Sequence, residues 1–124
     1  MARRVLVIED EASSREALES LLREEGFTVR SAPTGEAGLA CYAEFLPDTV
    51  VCDYYLPDLD GLGVMRLIRA GGQRGVRIIM VSAGMSDVEN ERALRREADV
   101  FLRKPIDLAE LSRALDADVA SASS

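Results

Sequence analysis

The sequence predicts an α/β fold, a doubly wound parallel sheet with helices on both faces, and three observations carry that prediction. Four short apolar runs lack polar alternation, as strands covered on both sides should. Segments of helical period lie between them. Residues that start and stop helices fall at the joints. A repeated strand–helix order in 124 residues implies one open sheet joined by right-handed crossovers.

The first strand is the run Val5-Leu-Val-Ile8. Ser13, with Glu16 three residues on, reads as a capping box opening the first helix, whose apolar face would be Ala17, Leu18, Leu21 and Leu22. Gly26 supplies its stop. Phe27 to Ser31 mixes polar residues into a strand pattern and reads as an edge strand. Thr49-Val-Val-Cys52 is the third strand. Asp60 caps a helix with Leu62, Met65 and Ile68 on one face. Ile78-Ile-Met-Val81 is the fourth strand, and Ser86 with Glu89 marks another helix start. Val100-Phe-Leu102 is the fifth strand, and Asp107 with Glu110 opens a helix to about Val119.

A chain of this size has material for one core and no second domain. The expected domain is residues 1–119, with 120–124 a frayed tail or the start of a linker. The 15 basic and 22 acidic residues give a formal charge of −7, which repels a phosphate backbone and argues against direct nucleic-acid binding. No apolar stretch approaches the roughly 20 residues of a membrane span, and Val5 to Ile8 is too short for a signal peptide, so a cytoplasmic location is expected. Histidine is absent and Cys41 and Cys52 are the only cysteines, which removes zinc sites, haem ligation and histidine-based triads. Both thiols read as reduced packing residues.

In open parallel sheets the ligand site lies beyond the carboxyl ends of the strands. Here those ends carry Glu9-Asp10-Glu11, Asp53, Ser82 and Lys104-Pro105. Two carboxylates about 4 Å apart repel by about 4 kcal/mol at an effective dielectric near 20, so the cluster needs compensating charge. A divalent cation and Lys104 would provide it. Oxygen ligands without nitrogen or sulfur favour magnesium, and magnesium suggests a phosphate substrate. Asp10 and Asp53 each follow a buried strand, where an unpaired charge is costly. Glu11 fits a solvated helix-end acid, Arg103 faces solvent, and Asp58 and Asp60 stay outside the site.

The ordered set of Glu9-Asp10 after the first strand, Asp53-Tyr-Tyr-Leu-Pro-Asp-Leu-Asp-Gly61, Ser82 followed by Ala83, and Lys104-Pro105 resembles the receiver domains of two-component response regulators, over residues 3 to about 119. The resemblance implies a flavodoxin-like five-stranded sheet in the order 2-1-3-4-5. It makes Asp53 the phosphoacceptor and gives Mg2+ as cofactor, held by Asp10 and Asp53, by Glu9 through a coordinated water, and by the main-chain carbonyl of Tyr55. Lys104 would pair with phosphoryl oxygens, Ser82 would hydrogen-bond to one of them, and Phe101 would be the switch aromatic. The Lys104-Pro105 bond is expected to be cis, against a general frequency of only about 5–6 % before proline. Tyr55 would shield the acyl phosphate from water, while Gly84 leaves its path open.

The resemblance further implies a histidine kinase or histidine phosphotransferase as donor, and a downstream protein or output domain met through residues 86–119. It implies a monomer or a phosphorylation-dependent dimer, and a signalling domain whose only catalysis is phosphoryl transfer to, and hydrolysis from, its own Asp53. Three rivals stand beside it. An aspartate-nucleophile phosphatase wants a second acid at position 55, where Tyr55 stands. A flavin carrier needs a phosphate-binding loop after the first strand, where three acids stand. A receiver-like binding module that works without phosphorylation would not need Asp10, Asp53, Ser82 and Lys104 together.

Overall fold

The computed structural model describes residues 3–71, 75–84 and 87–123. Strand and helix alternate as expected: β1 (Arg4–Ile8), α1 (Ala12–Glu24), β2 (Thr28–Ala32), α2 (Gly35–Phe45), β3 (Thr49–Asp53), α3 (Gly61–Ala70), β4 (Arg77–Ser82), α4 (Val88–Glu97), β5 (Val100–Arg103) and α5 (Leu108–Ser123). The strands form one parallel sheet in the order β2-β1-β3-β4-β5. The chain steps outward from β1 to the edge strand β2, then crosses back over β1 to β3. That reversal leaves a crevice beyond the carboxyl ends of β1 and β3.

Successive side chains of a strand point to opposite faces, and this divides the core in two. Leu6 and Ile8, Val50 and Cys52, and Ile78 and Met80 face one layer, closed by Tyr42 and Phe45 of α2, Leu62, Met65 and Ile68 of α3, and Leu94 of α4. Val5 and Val7, Val51, and Ile79 and Val81 face the other, closed by Leu22 of α1 and Leu111 and Leu115 of α5. Burying each such aliphatic side chain is worth about 1.5–3 kcal/mol before entropy is counted, so both faces demand apolar residues. β2 alternates exposed and buried positions, as an edge strand should. Both cysteines are free, Cys52 in the core and Cys41 packed against it.

The helix ends correct the sequence reading at the starts of α1 and α4 and extend it at α2. Ser13 does not cap α1. The chain turns within Glu9–Glu11, so the N-cap is Glu11, without a side-chain cap. Ser13 lies inside the first turn, where its hydroxyl donates to Glu11 Oε1 at 2.6 Å. Ala17, expected on the apolar face, is exposed, while Leu18 and Leu21 are half-buried and Leu22 is fully buried. Gly26 ends the helix as expected, at φ +97°. Its N–H reaches Arg23 O at 3.0 Å and the N–H of Phe27 reaches Leu22 O at 3.1 Å, the paired bonds of a Schellman motif.

α2 is capped twice. Thr34 Oγ1 accepts from Ala37 N at 3.0 Å, and Asp58, from the loop after β3, accepts from Gly35 N and Glu36 N, each at 2.8 Å. Asp60 caps α3 through Gly63 N at 2.7 Å, as expected. Ser86 lies outside the described residues, and the N-cap of α4 is Asp87, which accepts from Asn90 N at 3.2 Å. Asp107 accepts from Ala109 N at 2.8 Å and Glu110 N at 3.3 Å, starting α5 where expected. Among the described residues no helix is long and apolar enough to cross a membrane.

Candidate functional site

The crevice between β1 and β3 gathers the acids. Glu9, directly after β1, is 3 % exposed, Asp53 at the end of β3 is 7 % exposed, and Asp10 is open to solvent. One carboxylate oxygen from each lies within 4.8 Å of the others. Lys104, one residue beyond β5, reaches into the cluster. Its Nζ lies 2.8 Å from Glu9 Oε1 and 2.7 Å from Asp53 Oδ2. The other oxygen of Asp53, Oδ1, accepts from the main-chain N–H of Tyr55 at 3.1 Å. Both oxygens of Asp53 are therefore held, one by a cation and one by the backbone.

Electrostatics explain why the cluster is not complete in itself. The Glu9 carboxyl is pushed up to about 7, first by burial and then by the hydrogen-bonded Asp53, with Lys104 pulling the other way. Burial works to lower Lys104, but its ion pairs with Asp53 and Glu9 outweigh that and raise it. Glu9 Oε2 is buried and has no hydrogen-bond partner among the described residues. Three carboxylates facing one ammonium leave negative charge uncompensated. The all-oxygen donor set and the orphaned Glu9 oxygen fit a hard divalent cation that keeps part of its water shell.

Of the other expected residues, Ser82, Ala83 and Pro105 stand at the carboxyl ends of β4 and β5, whereas Phe101 lies further down the sheet, opposite Met80. Ser82 ends β4, fully buried. Its hydroxyl accepts from Gly84 N at 3.3 Å and lies 3.4 Å from Gly84 O, engaged with its own loop. Ala83 and Pro105 are exposed, and the Lys104–Pro105 peptide is cis. Phe101 is half-buried against the core, and the Arg95 guanidinium sits 4.6 Å from its ring centroid. Tyr55 is 51 % exposed and packs edge-on against Tyr54. Arg103 is exposed, with an ion pair to Glu91 at 2.9 Å.

Two side chains near the site escaped the sequence reading. Arg15 of α1 folds back so that its Nη1 donates to the main-chain carbonyls of Glu9 at 3.0 Å and Asp10 at 3.3 Å. Tyr54, the residue after Asp53, is buried, and its hydroxyl accepts from Asn90 Nδ2 of α4 at 2.9 Å. The only sequence signal for Arg15 is a cation in the first turn of a helix that begins beside three acids.

Comparison with known proteins agrees with this geometry. Residues 5–116 match the response regulator receiver domain family. The DNA-binding response regulator MtrA of Mycobacterium tuberculosis is 37 % identical over 111 residues, covering 90 % of this chain and 48 % of that protein. The transcriptional regulatory protein AfsQ1 of Streptomyces coelicolor is 37 % identical over 115 residues, covering 93 % of this chain and 48 % of that protein. The chain thus spans about half the length of these relatives. Among solved structures, a response regulator receiver domain protein from Clostridium thermocellum superposes with a TM-score of 0.86 at 27 % identity, over 98 % of this chain and 97 % of that one. The response regulator TrrA of Thermotoga maritima, solved in complex with Mg2+ and BeF, gives 0.82 at 29 % identity over 94 % and 98 %. A 2-1-3-4-5 sheet with its acids at the β1/β3 crevice, matched along nearly its whole length, places this chain in the response regulator receiver domain family.

Proposed function

We propose that the chain accepts a phosphoryl group on Asp53 from the phosphohistidine of a histidine kinase or histidine phosphotransferase, with Mg2+ bound by Asp10, Asp53, the carbonyl of Tyr55 and, through a water, Glu9. The observation that carries the reading is the pair of restraints on Asp53, from Lys104 at 2.7 Å and Tyr55 N at 3.1 Å, beside a buried Glu9 oxygen that lacks a partner among the described residues. The Mg2+–BeF complex of the Thermotoga maritima relative supports the choice of metal. When bound, magnesium supplies positive charge against the carboxylates and the phosphoryl oxygens.

A carboxylate oxygen of Asp53 attacks phosphorus in line. The P–N bond of the donor breaks, a P–O bond to Asp53 forms, and the leaving imidazole keeps the bonding pair and takes a proton from solvent water. Lys104 moves from carboxylate to phosphoryl oxygens and neutralises charge spread over them. Ser82 releases Gly84 and donates its hydroxyl to a phosphoryl oxygen. Phe101 then turns into the space this leaves, and the face built from residues 86–119 shifts its population toward the partner-binding form. Hydrolysis of the acyl phosphate returns the domain to rest, with Tyr55 over the path of water. The downstream partner or output domain, and a cytoplasmic setting, belong to the same reading.

The test is intact mass after incubation with acetyl phosphate or phosphoramidate, for wild type, Asp53→Asn and wild type with chelator. A gain of one phosphoryl group in wild type with magnesium alone is expected. No gain under any condition, in a folded protein that binds magnesium, moves the assignment to a binding module that works without phosphorylation.

A further inference from the structure

We propose that Arg15 is a positioning residue for the acidic pocket, holding the turn between β1 and α1 so that Glu9 and Asp10 face Asp53 and the divalent cation. The inference rests on the phosphoacceptor reading above and adds a residue to it.

The turn has to place three successive acids, Glu9-Asp10-Glu11, whose mutual repulsion works to splay it. It contains neither proline nor glycine to fix its shape. Glu9 N–H is fastened to Ala32 O at 3.0 Å, which anchors the turn on its strand side only. Arg15 anchors the other side, bridging the carbonyls of Glu9 and Asp10 with one nitrogen. Arg15 itself is fixed to the turn through its own N–H, 2.9 Å from Glu11 O. Arg15 is half-buried as a residue, and its guanidinium bonds go to the main chain of the pocket, which leaves the carboxylates of Glu9 and Asp53 to Lys104.

A fixed guanidinium does this better than an ammonium. It stays charged, is planar and only weakly hydrated, and so tolerates a partly buried site lined by carbonyls. Groups that orient metal-binding residues from outside the coordination sphere typically matter by about 10- to 100-fold in metal affinity.

The experiment is calorimetric titration with MgCl2 of wild type, Arg15→Gln and Arg15→Lys, beside thermal unfolding without metal and the mass assay. Arg15→Gln is expected to weaken magnesium binding by about tenfold or more, with the phosphorylation rate recovering at saturating magnesium. Arg15→Lys is expected to recover only part of the affinity, and it carries the test if the Gln variant does not fold. Equal magnesium affinity in wild type and a folded variant overturns the role of Arg15, even if the variant melts earlier. A wild type that binds magnesium and is phosphorylated, beside such a variant, leaves the phosphoacceptor reading standing. A wild type that does neither overturns both.

Discussion

Tyr54 and Asn90 join the segment just after β3 to α4 by a direct side-chain hydrogen bond, 2.9 Å from Asn90 Nδ2 to the Tyr54 hydroxyl. Tyr54 follows Asp53 in the chain and is tied to β4 through its own N–H, 2.8 Å from Val81 O. Its ring lies in the core layer that also holds Leu94 of α4. Removing the hydroxyl leaves a half-buried amide without its acceptor. Tyr54→Phe is therefore expected to lower unfolding free energy by about 1 kcal/mol and to speed amide exchange in α4 ahead of the other helices. A denaturant midpoint and an α4 exchange pattern equal to wild type would show that the bond stabilises nothing.

Among the described residues Lys104 is the one ammonium reaching Glu9 and Asp53, and its side chain keeps 29 % exposure. Lys104→Met leaves both carboxylates without their cation. The metal-free protein should lose about 2 kcal/mol, the scale of hydrogen bonds between charged groups. Because the lost element is positive charge, saturating magnesium should restore most of the deficit, whereas it cannot repair lost packing. Urea unfolding with and without MgCl2 separates the two, and a deficit indifferent to magnesium would count against the charge argument.

Gly61 opens α3 against the strand that carries Asp53. A Cβ there would stand 2.6 Å from Met80 Sδ, 2.8 Å from Tyr54 Cα and 2.9 Å from Asp53 O. Two of those three atoms are backbone and cannot move aside cheaply. Gly61→Ala is expected to cost about 1–3 kcal/mol by overpacking and to slow phosphorylation by displacing the end of β3. A variant with wild-type thermal midpoint and wild-type mass gain would refute the close packing.

What the sequence made legible follows from where its signals are local. β1, β3 and β4 show themselves because interior strands of a parallel sheet covered on both faces need apolar residues at nearly every position, and the rim acids stand out against those runs. β5, read as a fourth core strand from the same apolar signal, is instead the second edge strand, with Val100 and Phe101 half-buried. Asp60 and Asp107 are readable as caps because they bond N–H groups two or three residues ahead. α2 is not readable as an amphipathic stripe. Its face against β1 uses Gly38, where a Cβ would meet Ile8 Cδ1 at 2.5 Å, so close packing replaces large apolar side chains. Asp58 caps that helix from 23 residues away, and Asn90 meets Tyr54 from 36 away. Arg15 acts on carbonyls, which every residue possesses, so no residue type marks its target.

Glu9 makes the site sensitive to pH in a defined direction. Its carboxyl is raised from 4.5 to about 7, chiefly by burial and then by Asp53, against the pull of Lys104. A group whose folded value exceeds its unfolded one contributes stability that is fully present below the unfolded value and is lost as pH rises through the folded value. The metal-free protein should therefore lose this contribution between about 4.5 and about 7. A divalent cation replaces the proton as compensation for the charged form, so magnesium should bind more tightly as pH rises toward about 7, releasing protons as it binds. Glu9→Gln, neutral throughout and close in shape, should remove most of that pH dependence and most of the proton release. The measurement is magnesium titration calorimetry in two buffers of different ionisation enthalpy across this range. Proton release that persists undiminished in Glu9→Gln would assign the titration to another group of the pocket.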